Sequence, residues 1–88
     1  MTYMKHDQEK LIVYVQAQAA LFRSGQISLD QLSARVTHLN FDERFTEEVQ
    51  QANPMLDHLI SDIAPDLEWQ PGGELVERFL KLVDGLSV

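Results

Sequence analysis

The 88-residue chain contains no cysteine, three prolines, four glycines and one tryptophan. Without cysteine there can be no disulfide, thiolate zinc site or thiol nucleophile, so packing alone holds the core and a reducing compartment suits the chain. Long apolar runs are also missing. The longest uncharged stretch, residues 11–22, spans 12 positions and includes Gln16 and Gln18, whereas a spanning helix needs about 20 apolar residues. The first ten residues carry Lys5, His6, Asp7, Glu9 and Lys10, where a secretory leader has an apolar run. The expectation is a cytoplasmic protein with no membrane segment. At 10.1 kDa the folded surface should be about 5,300 Å², which leaves room for one domain, residues 1–88, around one thin core. An enzyme pocket of about 300–1,000 Å³ would compete with that core, while a binding surface needs only about 800 Å² of exterior. These limits favour a binding module over an enzyme.

Basic residues are scarce, seven against 14 acids, for a net charge of −7. Residues 1–41 sum to +1, residues 42–77 to −9 with Arg44 as their one base, and the last 11 residues to +1. A field of this sign repels phosphate backbones and excludes nucleic acid as a partner, and it speeds the approach of a basic one. A helix-turn-helix reader over Ser28–Gln51 fails for the same reason, because its second helix would carry Asp42, Glu43, Glu47 and Glu48. Local placement separates two kinds of acid. Glu74 with Arg78 and Glu77 with Lys81 stand at the stabilising i, i+4 spacing. Glu43 and Glu47 form a like-charge i, i+4 pair instead, and Asp62 falls in the last turn of a helix stopped by Pro65, where the dipole favours cations. Acids set against local stability suggest a binding surface. The candidate partner-binding set is Glu43, Glu47, Glu48, Asp57, Asp62, Asp66 and Glu68, with Trp69 beside them.

Apolar spacing is helical nearly throughout, which predicts an all-α chain folded as a small antiparallel bundle of four to five helices. A first helix over about Asp7–Ser24 carries the stripe Leu11, Val15, Ala19 and Phe22. Ile12, Val13, Ala17, Ala20 and Leu21 cover much of its remaining surface, which suits a central position. Gly25 ends it, and Ser28 with Gln31 forms a capping box for a second helix reaching about Leu39. The seam of that helix, Leu29, Leu32, Val36 and Leu39, suits a hairpin packed on the first. Phe41, Phe45, Val49 and Ala52 predict a third helix over about Asp42–Gln51. Asn53 and Pro54 begin a fourth, with Leu56, Leu59, Ile60 and Ile63 inward, that stops at Ala64–Pro65. Helices three and four could equally be one bent helix. A loop, Asp66–Gly73, then leads to a last helix over about Glu74–Asp84.

Few groupings suit catalysis. Asp57, His58 and Asp62 make the best acid–base or metal cluster, but no third ligand accompanies His58 and Asp62, and surface pairs at this spacing are common. His6 and His38 have no evident partner. Gly72–Gly73 lacks the lysine and the preceding strand of a phosphate loop. No cofactor or metal is expected. Trp69 is either a ring folded over the bundle end or an interface anchor. Tyr14 falls at the edge of the first helix with its hydroxyl in water, and Tyr3 near a frayed end.

The run Leu21-Phe22-Arg23-Ser24-Gly25-Gln26-Ile27-Ser28-Leu29-Asp30-Gln31-Leu32-Ser33-Ala34-Arg35 resembles the helix 1–helix 2 junction of the colicin D type immunity proteins, whose relatives include immunity proteins of contact-dependent growth inhibition systems. The resemblance extends over about Leu11–Val83 in length, acidity, helix order and hydrophobic final helix. It implies a small helical bundle that binds a cognate nuclease toxin, often a tRNA-cleaving one, and covers the toxin's basic active-site cleft with acidic side chains. The implied partner is a basic nuclease toxin domain, met by a protein that is monomeric when free. The rival reading is a helical dimerisation or adaptor module that uses the Leu29–Leu39 seam or the last helix.

Overall fold

In the computed structural model, which describes the backbone of residues 2–87 and the side chains of residues 5–87, all regular structure is helical. Helix α1 spans Thr2–Arg23 and α2 spans Leu29–Thr37. A 3₁₀ turn follows at His38–Phe41, then α3 at Glu47–Ala52 and α4 at Pro54–His58. A π turn at Leu59–Ile63 leads into α5 at Ala64–Trp69, and α6 covers Gly73–Asp84. His58, Leu59, Ile63 and Ala64 all keep right-handed helical dihedrals, so residues 54–69 form one continuous rod. Counting that rod once, five helices make the bundle expected from the apolar spacing. Tyr14 is half buried, and the side chain of Tyr3 lies outside the described residues.

Local chemistry explains the first hairpin. Gly25 takes φ +80°, Gly25 N–H bonds the Phe22 carbonyl at 3.0 Å and Gln26 N–H bonds that of Leu21 at 2.9 Å. These two bonds close the Schellman ending that a Cβ-bearing residue would strain. Ser28 Oγ then accepts from Gln31 N–H at 3.2 Å while Ser28 N–H donates to Gln31 Oε1 at 2.9 Å. That reciprocal pair starts α2 where the sequence placed it.

One buried cluster fills the centre. Leu11, Val15 and Ala19 of α1 meet Leu32 and Val36 of α2, Leu56, Leu59 and Ile60 of the rod, and Phe79 and Val83 of α6. Helix α1 packs on α2, α3 and α6, as a central helix should, although Val13, Ala17 and Ala20 face solvent. Leu32, Val36 and Leu39 are buried within the chain, so the seam offered for dimerisation is already covered. Arg23 and Asp84 join the last residues of α1 and α6 through two 2.9 Å bonds, which hold the Asp84 carboxyl below its ordinary range. The accessible surface of 5546 Å² and radius of gyration of 12.2 Å match a compactly folded single chain of this mass, about 5,300 Å² and about 12 Å.

Three expected boundaries move. Helix α1 begins at Thr2 rather than Asp7. The third helix begins at Glu47 rather than Asp42, because Thr46 Oγ1 caps it by accepting from Val49 N–H at 3.2 Å and Asp42 is folded back onto Arg44. Pro65 does not end the fourth helix, so Asp66–Trp69 is helical rather than loop. The π turn explains that last difference. Ala64 N–H bonds the Leu59 carbonyl, five residues back. Pro65 brings no N–H to the Ile60 carbonyl in the same register, and Asn40 Nδ2 donates there instead at 2.8 Å, bonding the Thr37 carbonyl at 2.8 Å as well. Asn40→Ala is therefore expected to cost about 2 kcal/mol by orphaning a carbonyl beside the core, read as a lower urea midpoint at unchanged m-value. Asn40→Ser, which can still donate, should recover part of it.

Candidate functional site

The rod collects five of the eight candidate residues: Asp57, Asp62, Asp66, Glu68 and Trp69. Met55, His58, Asp62, Asp66 and Trp69 are all exposed and recur at spacings of three or four. They therefore run along its outward side. In an unbroken α-helix Asp66 would stand about 80° round from His58. The wider π turn takes up an extra residue and returns Asp66 to the stripe. From Met55 to Trp69 the edge is about 21 Å long at 1.5 Å per residue, about two thirds of the width of a standard interface patch of about 800 Å².

The ends of this edge are apolar. Met55 is 40% and Trp69 83% exposed, so the indole does not fold over the bundle end. Asp62 Oδ2 lies 2.9 Å from His58 Nδ1, and Asp57 Oδ1 accepts from Ser61 Oγ at 2.8 Å. Asp57 is thus turned away from His58 and Asp62. Among the described residues no three His, Cys, Asp or Glu side chains come together as a metal site, so the metal-hydrolase grouping does not assemble. No lysine or arginine lies within 4.0 Å of Asp57, Asp62, Asp66 or Glu68 among the described residues, and positions 45–77 contain no lysine or arginine.

The remaining candidates are elsewhere. Glu47 and Glu48 occupy the first turn of α3, where an anion stabilises the helix, and solvent faces both. Glu43 lies in the Asp42–Arg44 turn and lines a groove with Arg35 and Arg44. Both placement arguments from the sequence fall with the helix bounds: Glu43 and Glu47 do not share a helix, and Asp62 is in mid-rod rather than a last turn. What distinguishes the acids is a base-free stretch of chain folded into one exposed rod. Sequence periodicity also missed two exposed apolar residues, Met55 and Phe41. The Phe41 ring is 82% exposed, although the four-residue spacing to Phe45 had suggested an inward stripe.

Asp42 is the one acid whose titration is strongly moved. Arg44 Nε and Nη2 donate to its two oxygens at 2.9 and 2.8 Å, and Arg44 N–H adds a third bond at 2.9 Å. The side-chain bond from Arg44 holds the Asp42 carboxyl well down, from 3.8 to about 2, against a smaller opposing effect of burial. A depressed folded value means stability present above the unfolded value and lost on acidification. The loss should thus run from pH 3.8 down to about 2. It should amount to about 1 kcal/mol, since the pair is partly screened by solvent. Urea midpoints across that range should show the loss in the wild type and a flatter curve in Asp42→Asn.

Among the described residues no helix is long and apolar enough to cross a membrane. Comparison with protein-family models, with curated proteins and with solved structures gives no match for this chain.

Proposed function

We propose that this all-α bundle is an immunity protein that neutralises a cationic nuclease toxin, a tRNase by the resemblance noted above, of the bacteriocin or contact-dependent growth inhibition kind. On this reading it acts in the cytoplasm without enzymatic activity of its own. The supporting observation is the outward edge of the rod of residues 54–69, about 21 Å long, whose carboxylates have no lysine or arginine within 4.0 Å among the described residues and which ends in an exposed tryptophan. A nuclease cleft built for a phosphate backbone presents lysines and arginines at similar spacing, and carboxylates fixed on a helix can occupy it as phosphate mimics. The helix is already formed before binding, so little ordering entropy opposes association. Trp69 supplies the large apolar contact that charge pairing alone lacks.

On this reading Asp62 and Asp66, both on the outward stripe, make the direct ion pairs, Trp69 is the anchor, and Asp57 and Glu68 are flanking charges. Glu47 and Glu48 strengthen the long-range field that speeds encounter. Capture on the immobilised protein from extract of its native cell, at about 50 mM and about 300 mM salt, tests the proposal. A basic nuclease domain retained more completely at the lower salt is expected. Retention of only acidic proteins would count against it.

A further inference from the structure

A second surface is electrostatically balanced rather than anionic. Two open depressions of about 620 and 500 Å³ share Tyr14 and Arg44, and so form one groove between the outer face of α1, the 3₁₀ turn and the Asp42–Arg44 turn. Phe41 lines one part and Val13 the other. They are 82% and 64% exposed, two of the four large apolar side chains left in solvent among the described residues. The exposure of Phe41 follows from the chain path, since Leu39 and Phe45 on either side fill the buried positions and the His38 ring meets Phe41 edge-on from outside at 5.9 Å.

We propose that this groove is the interface of a two-fold dimer of the chain. Two copies that each carry −7 repel one another, so any stable self-contact must lie where local charge cancels. The groove meets that condition. Its acids are Glu9, Asp42 and Glu43 and its permanent bases Lys10, Arg35 and Arg44. Asp42 and Arg44 neutralise each other within one copy. Among the described residues, Glu9, Glu43, Lys10 and Arg35 have no opposite charge within 4.0 Å, and Arg35 donates instead to the neutral Gln18 Oε1 at 2.8 Å. A two-fold axis brings each patch onto itself reversed, so unpaired acids of one copy face unpaired bases of the other twice over. Phe41 of each copy then enters the depression beside Tyr14 of its mate.

A highly basic or highly acidic partner gains no net attraction from this balanced lining, whereas a second copy brings the same mixture of acids and bases to it. No residue of 54–69 lines it, so the anionic edge of each copy stays separate from the dimer contact. The proposal replaces the expectation of a chain that is monomeric when free.

Sedimentation equilibrium of the full chain from about 1 to 500 µM, a range bracketing typical homodimer constants, provides the test. The weight-average mass should climb from 10.1 kDa toward twice that value. Phe41→Asp should raise the dissociation constant at least about 30-fold, the effect of losing a buried aromatic anchor, with an unchanged urea midpoint at concentrations low enough that the wild type is dissociated, because the side chain is exposed in the single copy. Val13→Asp should weaken the dimer in the same direction. A wild-type mass that stays at 10.1 kDa throughout, or a dimer undiminished in Phe41→Asp, overturns the proposal, and either result is independent of whether a toxin partner exists.

Discussion

Asn53→Ala is expected to lower the unfolding free energy by about 3 kcal/mol, with a fall in Tm of roughly 12–24 °C for a domain of this size. Asn53 is buried, with three bonds that tie distant parts of the chain. Its Oδ1 accepts from Leu56 N–H at 3.2 Å and so caps α4. Its Nδ2 donates to Gln8 Oε1 in α1 at 3.2 Å and to the Ser87 carbonyl beyond α6 at 3.0 Å. Removing the cap costs about 1 kcal/mol, the buried Gln8 amide left unpaired costs at least about as much again, and loss of the part-buried bond to Ser87 supplies the remainder. Asn53→Asp keeps the cap but buries a carboxylate with one oxygen facing the Ser87 carbonyl, so it should recover little of the loss. An alanine variant within 1 kcal/mol of wild type would show that the three bonds are not a joint tether. Thermal and urea unfolding followed by circular dichroism both read this difference.

The position of Asn53 before Pro54 marked it in the sequence as a helix start, and that part was legible because capping is local chemistry. The same holds for Gly25, for the Ser28–Gln31 box and for the inward Leu11, Val15, Val36 and Leu59. The ties from Asn53 to Gln8 and Ser87 join residues 45 and 34 positions away, and spacing along the chain carries no trace of them. Pro65 misled for a related reason. A proline ordinarily ends a helix because a carbonyl loses its donor, but Asn40, 20 positions upstream of Ile60, supplies that donor. Once the helix runs through, Asp66, Glu68 and Trp69 move from loop to rod. The candidate acids were visible as composition, and their arrangement was not, since it depends on that one long-range amide.

Reversing two charges on the rod should have the largest effect on binding. Asp62→Lys with Asp66→Lys replaces two exposed carboxylates in the middle of the outward stripe and should weaken the toxin complex at least about 100-fold, about 2.7 kcal/mol. That is modest beside the roughly 1.5–7 kcal/mol measured for single close charge pairs at tight toxin–inhibitor contacts. Association should slow more than dissociation quickens at low salt, because the reversed pair also lowers the steering field. Trp69→Ala should act on dissociation instead, as expected of an anchor without charge. None of these residues is buried, so stability should change by less than about 0.5 kcal/mol. An equal loss of affinity from Glu47→Lys with Glu48→Lys would move the contact from the rod to the start of α3.

The most direct test is a titration of nuclease activity. The basic domain recovered by capture is assayed for RNA and DNA cleavage while wild-type protein is added. Inhibition should be complete at an equimolar amount, and the Asp62→Lys, Asp66→Lys protein should need a large excess to reach the same point. Cleavage that persists in excess wild-type protein, or titration curves that superimpose for the two proteins, would contradict the assignment of the rod as a nuclease-blocking surface.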